Sequence, residues 1–275
     1  MGNELIQGAV LAGMPDVQGR ADLRQLPIQR VGVTSLRYPL SVVVGGQAHP
    51  TVGNWTLDVG LHGGQKGAHM SRLLGWLEAF SLQGSPLTAE LLRSEIEAML
   101  ALLEADSGSI EVKFPFFIRK AAPVTGLQSL MAYDGAWVAR RRDGVSSVRM
   151  RATVPVKSLC PCSKEVSDDG AHNQRSHISV EAELGSAGLD WSELVRFAED
   201  NASSELWSLL KRPDEKWVTE QAYANPKFVE DLIRDVALAI DADRRIGSYR
   251  VEVTNFESIH AHDVYAVVER TRTVA

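Results

Sequence analysis

The sequence predicts an α+β protein in which a β-β-α-α-β-β unit occurs twice, each copy an antiparallel sheet with helices on one face. Three observations predict it. Val148, Met150, Ala152, Val154 and Val156 alternate without a break, the period of a half-buried strand. Met70, Leu73, Leu74 and Leu77 recur at the spacing of one helical face. The order of strand-like and helix-like segments restarts after Asp143-Gly144. These observations divide the chain into an arm (1–30), a first module (31–143) and a second module (144–275) that carries most of the chemistry.

In the first module, Val31, Val33 and then Val42 to Val44 read as a strand in two parts, broken at Pro39. Trp55, Leu57, Val59 and Leu61 give a second strand, running into the Gly-rich turn HGGQKGAH with Lys66 and His69. A helix from Met70 follows. Ser85-Pro86 marks the start of the next, with Pro at its first position and a stripe of Leu92, Ile96, Met99, Leu100 and Leu103. Ile110, Val112 and Phe114 form the third strand, and Leu130 to Val138 the fourth.

The second module opens on the strand through Val148 to Val156 and continues with a Cys160–His172 loop. Ile178, Val180, Ala182 and Leu184 form its next strand. Asp190 with Glu193 is a capping box, opening a helical stretch that carries Leu194, Phe197, Leu206 and Leu210. Arg212 to Pro226 reads as a long polar connector, a length that is often functional. Asn225-Pro226 starts a helix with Val229, Ile233, Val236 and Ile240 buried. Strands at Tyr249–Val253 and Val264–Val268 close the chain, separated by a turn at Glu257 to Asp263. The bare sheet face and its edges require cover, and association of subunits supplies it.

Composition narrows the function. The 275 residues are 44% hydrophobic and 23% charged, as in a soluble globular protein, with a net charge of −6. That charge argues against general nucleic-acid binding, which needs an electropositive surface. No apolar run reaches the roughly 18–20 residues that span a bilayer, and the N-terminus lacks a basic region before an apolar patch. Cys160 and Cys162, the only cysteines, flank Pro161 and make a poor disulfide pair. They read as free thiols in a reducing cytoplasm.

Both cysteines and two of the seven histidines fall in LCPCSKEVSDDGAHNQRSH, Leu159 to His177. Lys164 beside the thiols favours thiolate. Cys160 to His172 is not a zinc-finger spacing, but an open catalytic metal site takes only about three protein ligands from separate segments. His260 and His262 would share a face if extended. Glu215 and Glu220 lie in the polar connector, and Glu230 and Asp231 in the first turn of a helix, where the dipole favours carboxylates. Lys66, Arg72, Lys157, Lys164 and Arg175 are candidates for phosphate contacts. G-A-H-x-x-R occurs in both halves, at Gly67–Arg72 and Gly170–Arg175, but in places that are not equivalent. There is no Walker-type loop and no dinucleotide fingerprint.

PCSKEVSDDGAHNQRSH, GGQKGAHMSRL, KRPDEKWVTEQAYANPKFVEDLIRD, VGVTSLRYPL and NFESIHAHDVYA together resemble the type IB GTP cyclohydrolase I family, in order and over nearly the whole chain from Asp16. The resemblance implies a bimodular tunnelling fold and a cytoplasmic homotetramer with interfacial active sites. It implies opening of the guanine imidazole ring of GTP, giving formate and 7,8-dihydroneopterin triphosphate, the first step of tetrahydrofolate synthesis. One divalent ion per site, zinc, manganese or iron(II), is implied as well. Residue by residue, Cys160, His172, Glu215 and His260 match the metal site, and Cys162 a second active-site thiol. Glu230 matches the carboxylate that anchors the purine, with Glu220 as the alternative. Cys160, Cys162, His172 and His260 would carry the chemistry, and Lys66, Lys164 and Arg175 would hold substrate. The competing expectations are a thiol-dependent deazaguanine nitrile reductase of the same superfold, whose E-S-K-S-like motif is absent, and a non-catalytic purine-binding relative.

Overall fold

A computed structural model describes residues 15–185 and 188–272. Residues 1–14 of the expected arm lie outside them. Eight strands form one sheet in chain order, each hydrogen-bonded to its neighbours in sequence. They are β1 (Ile28–Val44), β2 (Gln47–Leu61), β3 (Gly108–Ala121), β4 (Gln128–Arg142), β5 (Val145–Leu159), β6 (Asn173–Leu184), β7 (Ile246–Asn255) and β8 (Val264–Arg270). Among the described residues six helices accompany them: α1 (Met70–Gln83), α2 (Ala89–Leu103), α3 (Pro161–Val166), α4 (Trp191–Glu199), α5 (Arg212–Ala224) and α6 (Val229–Asp241). The α+β architecture and the strand order are as the sequence predicts. Among the described residues no helix is long and apolar enough to cross a membrane.

The chain divides into two compact units. The first comprises residues 1–43, 48–114 and 136–149, the second residues 44–47, 115–135 and 150–275. In the first unit, residues 15–27 carry no helix or long strand and are pinned by a bridge between Ala21 and Gln65. β1 is continuous through Pro39 rather than broken there, and its positive φ falls instead at Ser35 (62°). As the edge strand of the sheet, β1 tolerates the missing N–H of proline. α2 begins at Ala89, not at Pro86, because the Thr88 hydroxyl caps the Leu91 N–H at 3.2 Å while Leu87 pairs with Val42. α1 packs with α2. Trp55, Trp76 and Phe80 cluster there, with ring centroids 5.4–6.4 Å apart. The β4–β5 turn at Asp143-Gly144 takes φ of 52° and 75°, which its glycine accepts without strain.

In the second unit, β6 and β7 pair antiparallel with Ser176 opposite Asn255 and Val180 opposite Val251, and β7 pairs with β8. α6 packs on β7 and β8, and α4 on β6 and α6. Val154, Val156, Ile178, Val180, Val251 and Val253 are fully buried, as the alternation requires. The Asp190 and Glu193 capping box forms as expected. The helix it opens ends at Glu199, so Leu206 and Leu210 lie beyond it. The expected polar connector is largely the helix α5, with Pro213 in its first turn. Only Asp214, Val218 and Ala222 of α5 are buried, too narrow a stripe to show as hydrophobic periodicity.

Candidate active site

The site is built where three inward-facing rows of the second unit turn from apolar to polar. Val154 and Val156 on β5 lead to Ser158, Ile178 on β6 to Ser176, and Val253 on β7 to Asn255. Ser158, Ser176 and Asn255 are buried, and each finds a partner in the next. The two serine hydroxyls lie 2.7 Å apart, and Ser176 donates to Asn255 Oδ1 at 2.7 Å. One more step along β6, Gln174 Nε2 reaches Ser158 Oγ at 3.2 Å and Glu257 Oε1 at 3.4 Å. Gln174 Oε1 in turn lies 3.1 Å from His172 Nδ1.

Cys160 stands at the end of β5, where Pro161 begins the short helix α3 inside the expected loop. Pro suits that place because a first-turn N–H has no helical partner. Cys160 and His172 are joined through the backbone, since the Cys160 N–H donates to the His172 carbonyl at 3.1 Å. Ser163 reinforces the joint. Its N–H approaches Cys160 Sγ at 3.4 Å, its hydroxyl donates to the Cys160 carbonyl at 3.2 Å, and it accepts the His172 N–H at 3.1 Å. Both thiols are free, Cys160 half-buried and Cys162 exposed. The His172 side chain is 14% exposed, and Glu257 Oε2 lies 3.9 Å from its Nδ1, beyond hydrogen-bond reach. That oxygen is buried without a hydrogen-bond partner.

The other sequence-predicted residues are more open. Glu215 is exposed in the first turn of α5, and Glu230 in the first turn of α6. Glu220 is exposed too, but paired with Lys216. His260 stacks on His262 with ring centroids 5.2 Å apart, both exposed in the β7–β8 turn. Lys164 donates to the Tyr223 carbonyl at 2.6 Å and sits 4.4 Å over the Tyr223 ring, which fastens α3 to the end of α5. Arg175 is exposed beside His177, whose protonation it opposes after burial has already done so. Lys157 is half-buried, and desolvation lowers its pKa. Lys66 is exposed in the first unit. Among the described residues, no three His, Cys, Asp or Glu side chains lie close enough together to hold an ion.

Ser163, Gln174 and Glu257 were not among the residues the sequence singled out. Gln174 and Ser176 carried a readable signal: they continue the inward-facing register of Ile178 and Val180, where a polar residue needs a buried partner. Ser163 and Glu257 carry none, since serine and glutamate are ordinary in a polar loop.

A sequence profile described as type I GTP cyclohydrolase folE2 matches residues 14–266. The chain belongs to this family. The GTP cyclohydrolase FolE2 of Methylibium petroleiphilum is 55% identical over 284 residues, covering 94% of this chain and 96% of its own. The protein of the same name from Burkholderia thailandensis is 55% identical over 260 residues, covering 94% and 95%. Among solved structures, uricase from Arthrobacter globiformis superposes with a TM-score of 0.53 at 13% identity, covering 89% of this chain and 93% of that one. At that identity the likeness concerns the fold alone, which is the tunnelling fold. Within the family, the Cys160–His172 joint lies in PCSKEVSDDGAHNQRSH and the Cys160 just before it, one of the stretches that carry the resemblance.

Proposed function

We propose that the chain is a GTP cyclohydrolase I, hydrolysing GTP to formate and 7,8-dihydroneopterin triphosphate at the head of tetrahydrofolate synthesis. The observation that carries this is the 55% identity to proteins named GTP cyclohydrolase FolE2, which runs across 94% of the chain. It is a cytoplasmic enzyme in this reading, consistent with two unpaired thiols.

A divalent ion completes the site. Thiol and imidazole are donor types that zinc, manganese or iron(II) accept, and Cys160 and His172 sit on hydrogen-bonded backbones. Glu215 and His260 are the further donors. Because no three candidates converge among the described residues of one chain, association into a homotetramer is what brings the set together. When bound, the ion supplies Lewis acidity and an activated water near neutral pH.

The chain's own side chains do the rest. Glu230 accepts both N1–H and the exocyclic amine of guanine, a pattern adenine lacks, so ATP is rejected. His172 and His260 are the imidazoles available to hold or deliver a proton at N7. Cys162, exposed one residue into α3, faces substrate. Lys66 and Arg175 neutralise the triphosphate. Lys164, fastened to the end of α5, keeps α3 in place and adds positive charge.

The test is GTP turnover by the purified chain, treated with chelator and then given zinc, manganese or iron(II) singly, with product followed as the oxidised fluorescent pterin. Activity lost on chelation and restored by one ion is the expected result. A folded oligomer inactive with every ion would overturn the reading.

A further inference from the structure

We propose that Gln174 is a positioning residue that fixes the tautomer of His172, and that Glu257 sets the direction in which it does so. The inference deepens the reading of His172 as a metal ligand and rests on it for that part.

A carboxylate only accepts. Glu257 Oε1 lies 3.4 Å from one end of the Gln174 amide, so that end is the NH2 group. The Ser158 hydroxyl agrees. Ser176 gives its single proton to Asn255 Oδ1, at 2.7 Å. The proton between the two serines therefore comes from Ser158, at 2.7 Å. Ser158 Oγ is left as the acceptor for Gln174 Nε2, at 3.2 Å. With both Nε2 contacts accounted for, the amide oxygen must face His172, where it lies 3.1 Å from Nδ1. An oxygen that can only accept requires a proton on Nδ1. In the neutral ring this leaves the lone pair on Nε2, the nitrogen then free to bind an ion. Five side chains, Asn255, Ser176, Ser158, Gln174 and His172, form one directed chain with Glu257 fixing its sense. All but His172 lie outside the residues assigned to substrate or metal. Such partners orient the imidazole and raise ligand affinity.

The test uses the full chain labelled with 15N-histidine, stripped of metal by chelator. Long-range proton–nitrogen correlation then reads the protonated ring nitrogen, and His172→Gln identifies the signal. Wild type should show the Nδ1–H form. Gln174→Met, which removes the acceptor at similar volume, should shift the ring to a mixture or to the Nε2–H form and weaken zinc binding by about 10–100-fold. The double variant Gln174→Glu with Glu257→Gln restores an acceptor-only group beside Nδ1 and should recover both readouts, which a merely structural role would not predict. Should Gln174→Met fail to fold, Glu257→Gln alone removes the acceptor that sets the sense of the chain, so that Asn255, Ser176, Ser158 and Gln174 can reverse together, and should yield mixed tautomers. An Nε2–H ring in wild type, or a tautomer and zinc affinity unchanged in the variants, overturns the proposal. Wild-type chain that neither binds zinc nor turns over GTP would defeat the functional reading instead, while the tautomer in metal-free protein still decides the role of Gln174.

Discussion

Lys120 Nζ lies 2.7 Å from Glu199 Oε1, with the two side chains 8% and 3% exposed. The ammonium also reaches Glu205 Oε2 at 2.7 Å and the Leu206 carbonyl at 2.9 Å, and Tyr133 donates to Glu199 at 2.7 Å. One lysine thus ties the end of β3 to the end of α4 and to the segment leading to α5.

Removing one partner of such a pair leaves a charge buried alone, which costs about 3–5 kcal/mol. Lys120→Met is therefore expected to lower stability by about 3 kcal/mol at neutral pH. The sign with pH follows from Glu199. Burial raises its pKa, and Lys120 and Tyr133 pull it back down. Without Lys120 it rises further, and a raised carboxyl pKa means stability is lost as pH climbs through it. The deficit of the variant should be smaller at pH 5 than at pH 8, in melting curves at fixed protein concentration. A deficit independent of pH would mean that Glu199 is not what the lysine serves.

Asp214 behaves in the opposite sense. Burial works to raise its pKa, but the N–H groups of Thr125, Lys211 and Val124 and the Thr125 hydroxyl outweigh it and hold the carboxyl at about 2. The four contacts measure 2.8–2.9 Å and fasten the β3–β4 turn to the start of α5, one residue before Glu215. A depressed pKa gives stability that is present above the unfolded value and is lost as pH falls through the folded one. Asp214→Asn should therefore melt below wild type at pH 7 and converge with it near pH 2. Parallel curves across that range would show that the charge is not the stabilising feature.

The strands and most of the helices were legible because their burial is regular. β5 alternates from Val148 to Val156 with every inward residue fully buried. α5 was not, because a helix that buries one aspartate, one valine and one alanine leaves no apolar period. Its beginning was nevertheless written in Pro213 and the acidic residues that follow it, signals of a helix start that a polar composition masked. In the site, Cys160 and His172 stood out by residue type. Their supports did not. Ser163, Gln174 and Glu257 act through hydrogen bonds whose partners lie up to 83 residues away, and no local pattern encodes such a pairing.

The two cysteines should separate in function. Cys160 is half-buried, accepts the Ser163 N–H and shares a backbone bond with His172, whereas Cys162 is exposed. Cys160→Ala should lose metal retention and more than about 100-fold in turnover, exceeding what loss of a supporting residue costs. Cys162→Ala should keep the ion, counted by elemental analysis, and be impaired in turnover alone. Equal metal loss in both variants would place Cys162 among the ligands.

Between the carboxylates offered for guanine, the structure separates Glu230 from Glu220 by what each already holds. Glu220 is paired with Lys216 four residues before it on an exposed face of α5. Such pairs are worth only about 0.3–0.5 kcal/mol, but the carboxylate is not idle. Glu230 has no hydrogen bond or ion pair among the described residues, while its neighbour Asp231 accepts the Phe228 N–H at 3.3 Å and takes up the duty of the helix start. A carboxylate free of structural work, held on a helix whose apolar side is buried, is the one we propose as the anchor for the base. Glu230→Gln keeps the size but replaces one acceptor oxygen by a donor that opposes the guanine N–H groups. It should raise KM for GTP by about 10-fold or more, as for a charged hydrogen bond of about 1.5–3 kcal/mol, with metal content and melting temperature unchanged. Glu220→Gln should leave KM within about 2-fold, since a surface pair of this kind contributes little. The reverse pattern would move the purine anchor to α5 and leave Glu230 as a solvated first-turn carboxylate.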